Sequence, residues 1–127
     1  MKVLVDTSIW IAYFSQGLYM ELDSLIIEDL VTTNDVILTE LIPFLHNAKA
    51  YDAIKALKHV HLYDMEIFWP GLIELQKINL INGVNKVGIP DLLIADHAIK
   101  YNLPLWSDDK HFALMAPYTQ LTLFSPE

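Results

Sequence analysis

Residues 1–14 read MKVLVDTSIWIAYF. The apolar run Val3-Leu4-Val5 has the length of a buried parallel strand, and it ends on an acid followed by two hydroxyl residues, Asp6-Thr7-Ser8. Apolar residues then resume at helical spacing through Ile9, Trp10, Ala12, Tyr13 and Phe14, and Thr7 or Ser8 is a residue type that begins helices. Asp6 therefore sits where a strand hands over to a helix, the edge at which α/β proteins bind their ligands.

The same alternation continues down the chain. Leu18, Leu22, Leu25, Ile26 and Leu30 are three or four apart, a second helical pattern, and residues 30–33 read as a short strand. Asn34 or Asp35 can cap a helix through Val36, Leu38, Leu41, Ile42 and Leu45, which Pro43 should bend because it donates no hydrogen bond. Residues 51–58 continue as helix, 59–63 as a third strand, and 67–80 as a helix that breaks at Asn82-Gly83. A loop with Gly88 and Pro90 leads to Asp91, which opens the helical stretch DLLIADHAIKYN; residues 105–107 and 121–124 supply two late strands. Strands alternating with helices predict βαβ units and a central, mainly parallel sheet of four to five strands.

The composition narrows the function. A chain of 127 residues, 54% hydrophobic, predicts one domain over residues 1–127 with a substantial core. Cysteine is absent, which removes thiolate metal sites and fits a reducing cytoplasm. Only three apolar residues separate Lys2 from Asp6, and no run approaches the ~18 residues of a membrane helix, so neither a signal peptide nor a membrane span is expected. Sixteen acids against eight basic residues give −8, and all eight are lysine. With no arginine there is no bidentate guanidinium fork, and strong sequence-specific reading of a nucleic-acid duplex is not expected.

Four acidic positions share an address in this reading. Asp6 ends the first strand, Asp91 opens a helix, Asp108 and Asp109 follow a late strand, and Glu40 lies early on the helix after the second strand. Taken singly each has a structural reading: Asp6 and Asp91 as helix caps, Glu40 as a solvent-facing residue, Asp108-Asp109 as a turn. Glu40 lies within an apolar run, where an unpaired buried carboxylate would be costly. Taken together they form a set of hard oxygen ligands, which suits Mg²⁺ or Mn²⁺ rather than zinc and points to metal-assisted phosphodiester hydrolysis. His59 and His61 read as structural, as do His97 and His111 despite their nearness to Asp91 and Asp109 in sequence, and Trp10, Trp69 and Trp106 read as core. Asp96 stands about 140° around a helix from Asp91 and is left out of the set.

These residues resemble the motifs of the PIN-domain family. VLVDTSIWIAYF is similar to its first motif, ILTELIPFL to the second with its helical Glu, and IPDLLIADHAIKYNLPLWSDDKHF to its most recognisable stretch, D-x-x-I-A-x-x-A followed by a strand and a [ST]-x-D-x-x-F turn. The resemblance implies a three-layer α/β/α fold. It also implies that Asp6, Glu40, Asp91 and Asp109 are the catalytic, metal-binding carboxylates, with Asp108 second to Asp109 and with Ser8 and Ser107 supporting the acids by hydrogen bonds.

Chains of this size most resemble the VapC-type toxins of type II toxin–antitoxin pairs. That likeness implies a Mg²⁺- or Mn²⁺-dependent ribonuclease cutting single-stranded regions of RNA, a homodimer, and a small antitoxin as partner. Two other readings compete with it. A receiver-like phosphotransfer domain needs adjacent acids after the first strand, and here the paired acids come last. A non-catalytic PIN-like binding module predicts a broken acid set, and here all four acids are present.

Overall fold

In the computed structural model, which describes residues 1–126, Val3, Leu4 and Val5 are each fully buried and form β1 (Val3–Val5). A strand with no exposed residue must be covered on both faces, and helices supply the cover. The chain runs β1, α1 (Thr7–Gln16), α2 (Glu21–Ile27), β2 (Val31–Thr33), α3 (Asp35–Asn47), α4 (Tyr51–Leu57) and β3 (His61–Leu62). It then continues through α5 (Trp69–Ile81), α6 (Ile89–Lys100), β4 (Leu105–Trp106), α7 (Lys110–Met115) and a single 3-10 turn, Ala116–Tyr118. This is the α/β architecture with a parallel sheet that the alternation predicts. No helix among the described residues is long and apolar enough to cross a membrane.

The sheet order is β3-β2-β1-β4, and every pairing is parallel. Val3 pairs with Val31 and Leu4 with Thr32 on one side of β1; Leu4 pairs with Leu105 and Val5 with Trp106 on the other. The chain thus moves outward from β1 to β2 and β3, then returns across the sheet to place β4 on the far side of β1. That reversal opens a crevice beyond the carboxyl ends of β1 and β4, where Asp6 and Ser107 emerge. The Asp6 amide donates to the Trp106 carbonyl at 2.9 Å, so pairing extends to the last residue before the crevice.

Several expectations change at the edges. The third strand shrinks to two exposed residues, and the last one to a single parallel bridge, Leu105 with Leu123. Both lie at sheet margins, where one neighbour rather than two holds the backbone. Pro43 does not divide α3, which runs unbroken to Asn47. It sits on the solvent side, where water can satisfy the carbonyl it leaves free. Gly88, not Asp91, is the N-cap of α6; Asp91 stands two residues inside, in the first turn. Trp10 and Trp106 are buried, but Trp69 is 55% exposed, because α5 starts there at the surface.

A buried polar cluster lies between the end of β2 and α6. Asn34, fully buried, caps α3 by accepting from the Ile37 amide at 3.0 Å, and its Nδ2 lies 2.6 Å from Nδ1 of buried His97 on α6. An amide N–H donated to Nδ1 leaves the ring proton on Nε2, and burial lowers the His97 pKa, so the ring stays neutral. The pair joins the end of β2 to α6. Asn34→Ala should remove the cap and leave His97 Nδ1 without a donor, costing about 2–4 kcal/mol. Asn47→Ala, at the exposed end of the same helix, should stay within ~0.5 kcal/mol. Urea unfolding of both variants against wild type checks this, and equal midpoints would refute it.

Candidate active site

The crevice beyond β1 and β4 is organised by hydroxyl groups. Asp6 is 5% exposed and sits at the N-cap position of α1, yet its side chain makes no cap bond. Instead Ser107 Oγ donates to Asp6 Oδ2 at 2.7 Å and Ser8 Oγ donates to the same oxygen at 3.0 Å. With both hydroxyls on Oδ2, Oδ1 is the oxygen left for a ligand. The two serines also receive the amides of the following turn, Asp108 N–H to Ser8 Oγ at 3.1 Å and Asp109 N–H to Ser107 Oγ at 3.0 Å. Residues about a hundred positions apart are thereby fixed in one net.

Asp91 enters from the first turn of α6 and Asp109 from the N-cap of α7, where its Oδ1 accepts from the His111 amide at 2.9 Å. His111 Nδ1 lies 3.1 Å from Asp109 Oδ1 and 3.8 Å from Asp91 Oδ2. Although close, that nitrogen is buried and makes no hydrogen bond of good geometry. Single ligand atoms of Asp91, Asp109 and His111 all fall within 4.8 Å of one another, a separation one cation could span.

The Asp91 carboxyl reports the crowding. Its pKa is pushed up to about 6, first by burial and then by the negative charges of Asp109, Asp6 and Glu40, with His111 opposing weakly. The other three acids expected from the sequence therefore all lie close enough to act on Asp91. The set contains carboxylate oxygens and one imidazole but no thiol, and among the described residues the only cation-forming side chain in contact with it is His111. Such a donor set fits a hard divalent ion, which would remove the repulsion that raises Asp91.

Two details go beyond what the sequence offers. Glu40 avoids the cost of burial within its apolar run: it is exposed, and its Oε1 accepts from Thr7 Oγ1 at 3.1 Å. Asp108 and Asp109 diverge. Asp109 joins the cluster, whereas Asp108 points away and accepts a hydrogen bond from Tyr19 Oη, whose ring packs edge-on against Trp106 with centroids 5.6 Å apart. His97, by contrast, is in the buried polar cluster and takes no part here. Sequence reading did not single out Tyr19: it lies 89 positions from Asp108 and stands in a loop with φ of 58° that no periodicity announces.

Comparison with known families matches residues 3–116 to the PIN domain. No curated protein matches the chain. Among solved structures, VapBC2 from Rickettsia felis, crystallised with a DNA fragment from its promoter, is similar with a TM-score of 0.78 at 20% identity, covering 98% of this chain and 98% of that one. DNA-bound VapBC from Salmonella typhimurium is similar with a TM-score of 0.77 at 14% identity, covering 98% and 97%. At such identities the likeness is one of fold.

The electrostatics predict a stability effect whose sign follows from the Asp91 shift. A carboxyl raised to about 6 when folded, from 3.8 otherwise, favours the folded state below pH 3.8, and that contribution is lost as pH rises through 6. Asp91→Asn should therefore melt higher than wild type at pH 7.5 with chelator present, by on the order of 3 °C after allowing for the exposure of the group and its lost helix-dipole attraction. The difference should close near pH 4. Thermal melts at the two pH values test it; a variant less stable at pH 7.5 would show that the acids do not repel.

Proposed function

This chain belongs to the PIN-domain family, and we propose that it is a Mg²⁺- or Mn²⁺-dependent endoribonuclease that hydrolyses phosphodiester bonds in single-stranded regions of RNA. The observation that carries the reading is the Asp91 carboxyl, raised by burial and by three carboxylates drawn from distant parts of the chain. Such a cluster is unfavourable unless a cation compensates it. Asp6, Glu40, Asp91 and Asp109 would hold the ion, with Ser8 and Ser107 orienting Asp6, and His111 stands ready as a further ligand or as a proton carrier at Nδ1. When bound, a divalent ion supplies activation of water for attack on phosphorus and neutralisation of charge on the departing oxygen.

The residues around the ion have separable tasks. The hydroxyl net commits Asp6 Oδ2 and fixes the Asp108-Asp109 turn, so that Asp109 is aimed before any substrate arrives. Thr7 steadies Glu40, the one exposed acid of the set. Substrate must be held largely without cations of the protein, because only eight lysines are present and the net charge is −8. RNA affinity should accordingly be modest and depend on the divalent ion.

The reading extends to partners. Two of the solved structures similar in fold are VapBC assemblies bound to DNA, which supports a toxin of a type II pair held in check by a small antitoxin; the proposal extends to a cytoplasmic homodimer. Purified protein should cleave a single-stranded RNA with Mg²⁺ or Mn²⁺ and stop when chelator is added. Asp6→Asn should lose at least ~100-fold in rate, and Ser107→Ala about 10-fold, with the larger part of that loss regained at high metal concentration. Cleavage that survives chelator, or equal rates in Asp6→Asn and wild type, would overturn the nuclease assignment.

A further inference from the structure

Beside the acids lies a second concavity, a cleft of about 440 Å³ between the first turns of α3, the segment before α5, and α6. Its walls are apolar: Val36, Met65, Ile67 and Leu93. Glu40 and Pro90 form the margin it shares with the candidate active site, Pro90 being the residue before Asp91. A nucleotide whose phosphate lay at Asp91 and Asp109 would have its base within reach of this cleft.

The polar groups of the lining are all acceptors. Asp35 contributes a carboxylate, and Glu40 a second one whose Oε1 already receives Thr7. Thr39 donates its hydroxyl hydrogen to the Asp35 carbonyl at 2.6 Å, so toward the cleft its Oγ1 offers only lone pairs. No lysine or histidine lines the cleft among the described residues. An occupant must therefore be flat or compact, largely apolar on its faces, and furnished with N–H donors at one edge.

We infer that this cleft is a specificity pocket for an unpaired nucleobase flanking the scissile phosphate, and that it favours guanine over uracil. The inference rests on the nuclease reading above. Guanine presents N1–H and N2–H side by side, a pair that matches the two oxygens of one carboxylate; uracil offers a single N3–H between two carbonyls, which the Asp35 charge repels. Adenine and cytosine fall between, each with an amino group next to a ring acceptor. A base can enter only when it is unstacked, which restricts the pocket to single-stranded RNA. The acidity of the cleft does not oppose this, because the base carries no charge while its phosphate lies at the metal-binding acids.

The test uses a short single-stranded RNA with both bases flanking one cleavable bond randomised, wild-type protein and Mn²⁺, with relative kcat/KM read from product sequencing. A guanine preference over uracil of about 10-fold or more is expected at one flanking position. Asp35→Asn, an exposed change at a residue outside the proposed metal-binding set, should reduce that preference about 10-fold, with guanine-flanked sites cut more slowly and uracil-flanked sites faster, because the charge that repels the uracil carbonyls is gone. Thr39→Val should reduce it less. Absence of metal-dependent cleavage overturns the nuclease reading and the pocket with it. Cleavage without base preference, or a preference unmoved by Asp35→Asn, overturns the pocket alone. N-acetylarginine amide is included as competitor: if Asp35→Asn weakens its inhibition but leaves base preference intact, the cleft takes a basic side chain of a protein partner and the nucleobase assignment falls.

Discussion

The burial of the Asp91 carboxyl within the field of Asp109, Asp6 and Glu40 is the constraint to which the rest of the molecule responds. The Asp91 carboxyl would lower its energy by moving into water, and its pKa, raised to about 6 by burial and then by the charges of Asp109, Asp6 and Glu40, shows that it has not done so. What holds the acids is the stiffness of what carries them. Asp6 leaves a strand with no exposed residue, Asp91 lies in the first turn of a helix whose inner face is buried, and Asp109 caps a short helix closed by buried Phe112 and Met115. Displacing any of them by a few ångströms would disturb close-packed core rather than a loop.

The sheet and the hydroxyl net divide this work. Parallel pairing of β1 with β4 brings the two strand ends side by side, while Ser8 and Ser107 convert that proximity into defined oxygen positions. The Asn34–His97 pair extends the same logic inward, tying the start of the helix that carries Glu40 to the helix that carries Asp91. Its cost is a buried imidazole whose Nε2 finds no hydrogen-bond partner, a local loss accepted so that two acid-bearing helices keep a fixed relation.

What was legible in the sequence was whatever depends on neighbours along the chain. Asp6 after Val3-Leu4-Val5 and the run from Pro90 to Phe112 announce their strand-to-helix junctions by pattern alone, and the structure puts these acids at one crevice. Asn34 announced its cap for the same reason. What depends on contacts across the chain was not legible. Whether Glu40 is buried or solvent-facing stayed open, because the apolar run around it does not reveal which face of α3 meets the core. Trp69 was assigned to the interior because hydropathy carries no information on where a helix begins at the surface. The motif already ranked Asp109 ahead of Asp108, but the partner that Asp108 takes instead, Tyr19, is one that only the fold brings near.

The raised Asp91 carboxyl has a consequence for how such a chain changes over generations. Where an acid weakens the native state, random mutation to its neutral amide is favoured on folding grounds and penalised only through lost activity. A gene freed from any need for this crevice would thus drift quickly toward asparagine at the crowded positions. The acid set is then a running balance between inheritance and selection, and its persistence in a lineage measures how recently the crevice was in use.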